Sequence, residues 1–336
     1  MDAGLLLALG LALAFAVTNG LHDASNAIAT LVATRAATPL QAIVLASVFN
    51  LLGPLLIGAA VADTIAGIVS VSPSQAVAVI GSGLLAAVSW NLATWRLALP
   101  SSSSHALVGG LVGAALIDGG VDAVNWGGFD GLYPVGVLGT LGVLAISPVI
   151  GGLAGFALIR GLRFAGRRAT RRWDDVTSNG QWVTSAALAF SHGANDAQKS
   201  VGLIAALLLA GGRIDTLSAP VWVAPACAIA LTLGTALGGW RIIRTVGRRI
   251  YRIESVDGLA SQTSSASVIF GASLLGAPTS TTQVVASSIV GIGAGRRRSH
   301  HVHWAIVREM GVAWVTTLPG AAVIGMAVFA VVQWLT

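Results

Sequence analysis

The sequence predicts an all-α, multi-pass membrane protein built from two similar halves, and three observations support this. Of its 336 residues, 55% are hydrophobic and only 10% are charged, whereas soluble domains carry about 25% charged residues. Many apolar blocks reach the roughly 20 residues that a helix needs to cross a hydrocarbon core. Two polar motifs each occur twice, in the same order. Blocks such as 5–17 and 321–332 lack the alternation of transmembrane β-strands, so the spans are expected to be helices.

The hydropathy pattern divides the chain into ten apolar units, five in each half. Several units are long and interrupted by glycine, so a count that includes half-helices reaches twelve. The units cover residues 3–34, 40–60, 75–94, 99–117, 134–160, 182–210, 220–240, 259–276, 278–295 and 304–334. We therefore expect a first repeat over 1–160, a basic cytoplasmic loop over 161–181, and a second repeat over 182–336.

The arginines predict the orientation of the spans. The net charge is +6, but the arginines stand in short connections between units, so we expect no nucleic-acid partner. With the N-terminus outside, ten alternating spans place every arginine except Arg213 in the cytoplasm, as the positive-inside rule requires. Both termini are then outside the plasma (inner) membrane. The cytoplasmic set is Arg35, Arg96, Arg160, Arg163, Arg167, Arg168, Arg171, Arg172, Arg241, Arg244, Arg248, Arg249, Arg252, Arg296, Arg297, Arg298 and Arg308.

The first duplicated motif places polar residues inside apolar units. Residues 19–26 (NGLHDASN) align with residues 192–199 (HGANDAQK). Each copy has polar residues at i, i+4 and i+7, which is one face of a helix: Asn19, Asp23 and Asn26 in the first copy, and His192, Asp196 and Lys199 in the second. A charged residue near the centre of a membrane helix costs about 2.5–3.5 kcal/mol, so its recurrence indicates function. A purely structural Asp196–Lys199 ion pair would leave Asp23 unexplained.

The second duplicated motif is a proline followed by hydroxyl residues. Residues 100–105 (PSSSSH) align with residues 278–283 (PTSTTQ). Serine and threonine cap helix N-termini, and proline suits the first turn. Each run therefore predicts a half-helix whose free N–H groups and positive dipole end face an anion. Hydroxyl-mediated helix packing would explain a lone run, but the matched pair favours a binding site. His105 and Gln283, which end the runs, could bond either the ligand or a neighbouring backbone.

An odd number of spans per copy forces the two copies into opposite orientations. Inverted repeats with a site near the midplane recur in secondary transporters. We therefore predict two inverted repeats of about five spans each, with broken helices or half-helix hairpins at the midplane, and a small inorganic anion as substrate. An intramembrane hydrolase using Asp23 and Asp196 as an acid–base pair would give the hydroxyl runs no role. An anion channel would be distinguished by uncoupled, voltage-dependent flux.

Residues 193–200 (GANDAQKS) resemble the duplicated signature of the inorganic phosphate transporter (PiT) family, an Asn-Asp pair in a Gly-x-Asn-Asp context. Residues 20–27 are similar to its bacterial form, with His22 in place of asparagine, and the two hydroxyl runs match the family's second element. The resemblance covers essentially the whole chain. It implies a secondary transporter that moves phosphate with protons or sodium ions, and no enzyme activity. The implied substrate-binding residues are Asn26, Ser102, Ser103, Ser104, Asn195, Lys199, Ser280, Thr281 and Thr282, and the implied coupling residues are His22, Asp23 and Asp196.

Lys199 is the only lysine in the chain, and it stands where the commoner form of the motif has asparagine. It adds positive charge for the anion but removes a neutral oxygen ligand for sodium, so we favour H⁺ over Na⁺ as the coupling cation and expect no other cofactor. A sodium-coupled phosphate symporter, a sulfate permease of the same family and carriage of phosphate as a neutral metal complex stay open. The expected partners are phosphate and membrane lipid, and a second copy of the chain or a cytoplasmic regulatory protein also stays open.

Overall fold

The computed structural model describes residues 2–168, 172–237, 250–296 and 302–335. Eleven α-helices account for most of them, as expected where lipid cannot satisfy exposed backbone groups. The helices are α1 Ala3–Ala33, α2 Pro39–Leu56, α3 Ala60–Ala66, α4 Pro73–Arg96, α5 Ser103–Gly119, α6 Gly136–Ala165, α7 Arg172–Ala210, α8 Val223–Leu237, α9 Ser255–Leu274, α10 Thr281–Gly295 and α11 Trp304–Leu335. Two strands, β1 (Gly128–Asp130) and β2 (Tyr133–Val135), form a small antiparallel hairpin, which the all-helical prediction did not include.

The helices coincide with the ten predicted units. Six of them, α1, α2, α4, α5 with the 3-10 turn that follows it, α6 and α11, are long and apolar enough to cross a membrane. The short α3 is an additional helix, because it begins at Ala60, where the second predicted unit ends. The prediction of an all-α, multi-pass membrane protein is confirmed.

The predicted loop over 161–181 is largely helical, and this part of the prediction was wrong. Helix α6 continues to Ala165 and α7 begins at Arg172. Helical hydrogen bonds close within the segment, so a helix can extend past its apolar block; Asp174 and Asp175 in the first turn of α7 also suit the positive end of its dipole. Several of the predicted cytoplasmic arginines lie outside the described residues: Arg171, Arg241, Arg244, Arg248, Arg249, Arg297 and Arg298.

The two halves pack in the same way, each against the other. Helix α1 lies along α8 and its counterpart α7 lies along α2, while α5 packs on α11 and α10 packs on α6. Glycines allow the close approach at both crossings. A Cβ added at Gly20 would lie 2.0 Å from the backbone oxygen of Leu231 on α8, and one at Gly193 would lie 2.3 Å from that of Asn50 on α2. The opposite orientation of the halves stays a prediction.

Two helical hairpins, α4–α5 and α9–α10, carry the hydroxyl runs at their tips. Backbone hydrogen bonds from Ser70 to Ala123 (2.9 Å) and from Asn125 to Ile68 (3.0 Å) hold the two ends of the first hairpin together. The ends of the second hairpin are joined by Arg296, which donates to Glu254 and Asp257 at 2.7 Å each. The tips meet each other, since Ser104 Oγ donates to the backbone oxygen of Thr279 at 2.9 Å.

Candidate functional site

The polar faces of α1 and α7 meet the two hairpin tips at one buried centre. Helix N-termini begin there, at Ser103 for α5 and Thr281 for α10. Every residue of the predicted site is at most 3% exposed, so the centre is closed to solvent on both sides of the molecule. The residues brought together are His22, Asp23, Asn26, Ser102, Ser103, Ser104, Asn195, Asp196, Lys199, Ser280, Thr281 and Thr282.

Hydroxyl groups from both hairpin tips surround the carboxylate of Asp23. Thr282 Oγ1 donates to Oδ1 at 2.5 Å, and Ser103 Oγ donates to Oδ2 at 2.9 Å. Thr281 Oγ1 lies 3.5 Å from Oδ2, and His22 Nδ1 lies 3.3 Å from Oδ1. Asp23 thus joins the first half of the chain to the α10 terminus of the second half.

Asp196 lies between two basic groups of its own helix. The Lys199 ammonium donates to Oδ1, and His192 Nε2 lies 2.9 Å from Oδ2. Thr281 Oγ1 lies 3.3 Å from Asp196 Oδ2, so this one hydroxyl stands between the two aspartates. One carboxylate oxygen of Asp23, one ring nitrogen of His192 and one carboxylate oxygen of Asp196 all lie within 4.8 Å of one another. The two copies of the first motif therefore form one cluster.

The Lys199 ammonium is fully engaged. Besides Asp196, it donates to Ser104 Oγ at 2.6 Å and to the backbone oxygen of Thr279 at 3.0 Å. An ammonium has three donor hydrogens, and these contacts use all three. Its acceptors are a carboxylate, a hydroxyl and a backbone carbonyl contributed by both halves of the chain.

The two predicted asparagines hold the hairpin tips in different ways. Asn26 Nδ2 donates to Thr281 Oγ1 at 3.1 Å and to Thr282 Oγ1 at 3.0 Å. Asn195 Oδ1 accepts the backbone N–H of Thr279 at 3.1 Å. The amide of Asn195 also donates twice to the end of the preceding segment, to Ser273 Oγ (3.0 Å) and Ala277 O (3.1 Å). Asn195 thus fixes the backbone of the second tip.

Ser102 and Ser280 act as N-caps in this structure. Ser102 Oγ accepts the backbone N–H of His105 at 3.2 Å, and Ser280 Oγ accepts that of Gln283 at 3.4 Å. Such caps satisfy donors that a helix N-terminus otherwise leaves unpaired. The side chain of His105 also bonds Ser102, at 2.7 Å from Nδ1. These residues shape the two helix termini on which the site is built.

The sequence reasoning missed Asn50, which lies in the apolar helix α2 and is fully buried. Its Oδ1 lies 2.9 Å from His192 Nδ1, and its Nδ2 donates to Thr235 Oγ1 on α8 at 3.0 Å. An asparagine in the middle of an apolar span is costly, and that cost was the signal in the sequence. Nothing in the linear pattern connects position 50 with position 192.

The geometry defines a class of protein. Hydroxyls and helix N-termini are donors suited to an oxyanion, and two carboxylates and a lysine place charged groups beside them. A closed polar centre between the two halves of a multi-pass membrane protein is typical of a secondary transporter. We therefore describe the chain as a membrane transporter, rather than as an enzyme.

Comparisons with known proteins specify the family. Residues 19–325 match the model of the phosphate transporter family. A "probable low-affinity inorganic phosphate transporter" of Rhizobium meliloti is 40% identical over 322 residues, covering 94% of this chain and 92% of that protein. One of the same description from Bacillus subtilis is 40% identical over 319 residues, with the same shares covered. A solved structure titled "The sodium-dependent phosphate transporter" superposes with a TM-score of 0.87 at 25% identity, over the whole of both chains. The chain belongs to the phosphate transporter family.

Proposed function

We propose that this protein imports inorganic phosphate across the plasma membrane by alternating access, coupled to protons. One observation carries the proposal: at one closed centre Asp23 accepts hydroxyl donors from both hairpin tips, and Thr281 Oγ1 lies between Asp23 and Asp196. A rocking motion of one half against the other would expose this centre first outside and then inside. A ligand that passes between the halves in this way would meet the predicted site residues.

Phosphate suits this centre better than sulfate does. At neutral pH phosphate keeps one or two O–H groups, which can donate to a carboxylate such as Asp23 or Asp196. Sulfate carries no proton at this pH, so its oxygens would face the same carboxylates as like charges at low dielectric. The two buried aspartates therefore favour a protonated oxyanion.

The contacts of Lys199 support proton coupling. Its ammonium donates hydrogen bonds to three oxygens, from Asp196, Ser104 and Thr279. An alkali cation at this position would need the same kind of oxygens as ligands. A tethered positive charge at this position removes the need for a free cation there. The solved relative whose title names sodium dependence is only 25% identical, so its cation is not carried over to this chain.

The same hydroxyls serve the carboxylates and the substrate, and this gives the coupling its physical basis. With neutral histidines, two carboxylates and one ammonium leave one excess negative charge at a buried site, which costs several kcal/mol. A phosphate anion adds to that charge, so it binds only together with protons. Once a proton neutralises the cluster, Ser103, Thr281 and Thr282 can turn from carboxylate to phosphate oxygens.

The test is uptake of labelled phosphate into proteoliposomes under a proton gradient or a sodium gradient, each imposed alone. We expect the proton gradient to drive accumulation and excess sulfate not to compete. Sodium-driven uptake would overturn the coupling, and sulfate uptake without phosphate uptake would overturn the substrate. Repeating the assay with and without magnesium tests whether phosphate enters as a neutral metal complex.

A further inference from the structure

The buried residue Asn50 holds His192 in one orientation. Thr235 donates its single hydroxyl hydrogen to the backbone oxygen of Leu231 at 3.1 Å, so its oxygen accepts Asn50 Nδ2 at 3.0 Å. This fixes the amide of Asn50 with Oδ1 towards His192 Nδ1, 2.9 Å away. Because a carbonyl oxygen only accepts, Nδ1 carries a hydrogen. The other ring nitrogen, Nε2, then carries the lone pair and faces the site.

Nε2 of His192 points at the carboxylates of both halves. It lies 2.9 Å from Asp196 Oδ2, a contact that falls outside hydrogen-bond geometry. Asp23 also belongs to the group of atoms within 4.8 Å. A lone pair on Nε2 would face these oxygens unfavourably, whereas a proton there would be attracted to both. The other histidine of the centre, His22, contacts Asp23 at 3.3 Å and lies outside that group.

We propose that His192 is the residue that carries the coupled proton at Nε2, and that Asn50 is the positioning residue that keeps Nε2 directed at Asp23 and Asp196. The inference rests on the proton coupling proposed above and names the group that performs it. When the centre opens outward, Nε2 takes a proton from hydronium and leaves a water molecule. When the centre opens inward, the N–H bond breaks and the proton returns to cytoplasmic water.

Two carboxylates and one ammonium surround His192. Helix α1 contributes Asp23 and its neighbour His22, and α7 contributes Asp196 and Lys199. From α2 and α8 the described contacts are neutral, through Asn50 and Thr235. The excess charge of the two carboxylates over the ammonium is one unit, and a proton on His192 cancels it.

Substitutions at Asn50 test the positioning, because two of them should act in opposite directions. Asn50→Leu removes the carbonyl that stabilises the protonated ring, so the pH midpoint of phosphate exchange should move about one unit towards acid. Asn50→Asp places a carboxylate at Nδ1, so the midpoint should move about one unit towards alkali. Asn91→Leu is the matched control, since Asn91 is buried but its side chain bonds none of the described residues; it should leave the midpoint unchanged.

The substitution His192→Asn tests the carrier itself and supplies the residue that the first half has at the matching position, Asn19. Phosphate exchange should become nearly independent of pH, and proton entry, followed with a trapped pH dye, should no longer accompany phosphate. A pH profile and a proton stoichiometry like those of the unmodified protein would overturn the proposal. Loss of proton entry in His22→Asn, with retention in His192→Asn, would overturn it in favour of His22.

The unmodified protein is measured first in the same vesicles, which separates the two proposals. If the unmodified protein shows proton-driven uptake but both Asn50 variants keep its pH midpoint of phosphate exchange, only the role of His192 and Asn50 is refuted. Absence of proton-driven uptake there would refute the proposed coupling and this inference together. Opposite shifts for Asn50→Leu and Asn50→Asp would support both, because a merely structural role would lower activity without moving the two midpoints apart.

Discussion

At the scale of single residues, the centre is a set of donors shared among carboxylates. Thr281 stands between Asp23 and Asp196, while Thr282 and Ser103 donate to Asp23. A hydrogen bond to a charged group is worth about 1.5–3 kcal/mol, so these hydroxyls are strongly oriented. In the proposed mechanism they become available to a phosphate oxygen when a proton neutralises the cluster. In that mechanism the carboxylates and phosphate therefore compete for the same hydroxyls, and proton binding shifts that competition towards phosphate.

Replacing either aspartate by asparagine should abolish coupled uptake. The amide keeps the size of the side chain but removes the negative charge that attracts the coupled proton and orients the hydroxyl donors. Loss of even one charge-assisted hydrogen bond corresponds to at least about a tenfold effect. The measurement is proton-driven phosphate uptake by Asp23→Asn and Asp196→Asn at matched expression, with the exposed Asp130→Asn as control. Uptake equal to that of the unmodified protein in either variant would refute the assignment of that aspartate.

Replacing Lys199 by asparagine should make the transporter respond to sodium. The change removes the tethered charge and leaves the oxygens of Asp196, Ser104 and Thr279 without a cation, a cost that a sodium ion can relieve. We expect sodium to raise phosphate uptake by the variant several-fold. We also expect sodium to raise the thermal midpoint of the variant by a few degrees. Potassium at equal ionic strength is the control. Equal behaviour in the two salts would show that Lys199 does not stand in for a cation.

At the scale of secondary-structure elements, glycines set how closely the helices that carry the site can cross. Gly193, next to His192, lies against the backbone of α2, and Gly20 lies against the backbone of α8. These are matching positions of the first motif. The glycine of the motif therefore serves packing: it brings the polar face of each long helix against the other half of the molecule.

Adding one methyl group at the α2–α7 crossing should disturb both stability and function. In Gly193→Ala the Cβ would lie 2.3 Å from Asn50 O, so the helices must separate, at a cost of about 1–3 kcal/mol. The check is the thermal midpoint in detergent together with uptake. Gly271→Ala, where nothing lies within 4 Å of the added Cβ, is the matched control and should be neutral. Identical midpoints for the two variants would contradict the close packing.

At the scale of the whole molecule, the two hairpins meet at their tips, so their tied ends should lie on opposite sides of the membrane. Single cysteines in a Cys227→Ala background test this, since Cys227 is buried and is the chain's only cysteine. Val121→Cys lies at the tied ends of the first hairpin and Arg252→Cys near those of the second; both positions are exposed. An impermeant maleimide on intact cells should label the first position, and should label the second only after permeabilisation. Labelling of both from one side would refute the inverted arrangement.

Most of the fold and the outline of the site could be predicted from the sequence, because both depend on local patterns. Apolar length determines the spans, and the spacing of Asp23 and Asp196 determines a polar helix face. The run from Pro278 to Thr282 marks a helix N-terminus by its capping chemistry. The extension of α7 to Arg172 was not predictable in this way, since helices do not have to stop where hydrophobicity stops.

The sequence by itself determined the membrane class, the repeated halves and most of the residues that meet at the centre. Only the tertiary structure decided which partner each residue has. It placed Asn195 on the backbone of a hairpin tip, Lys199 on oxygens of both halves, and Asn50 behind His192. The physical reason is that a buried polar group must find its partner wherever the packing brings one. Those partners here lie many residues away along the chain, beyond the reach of any local pattern.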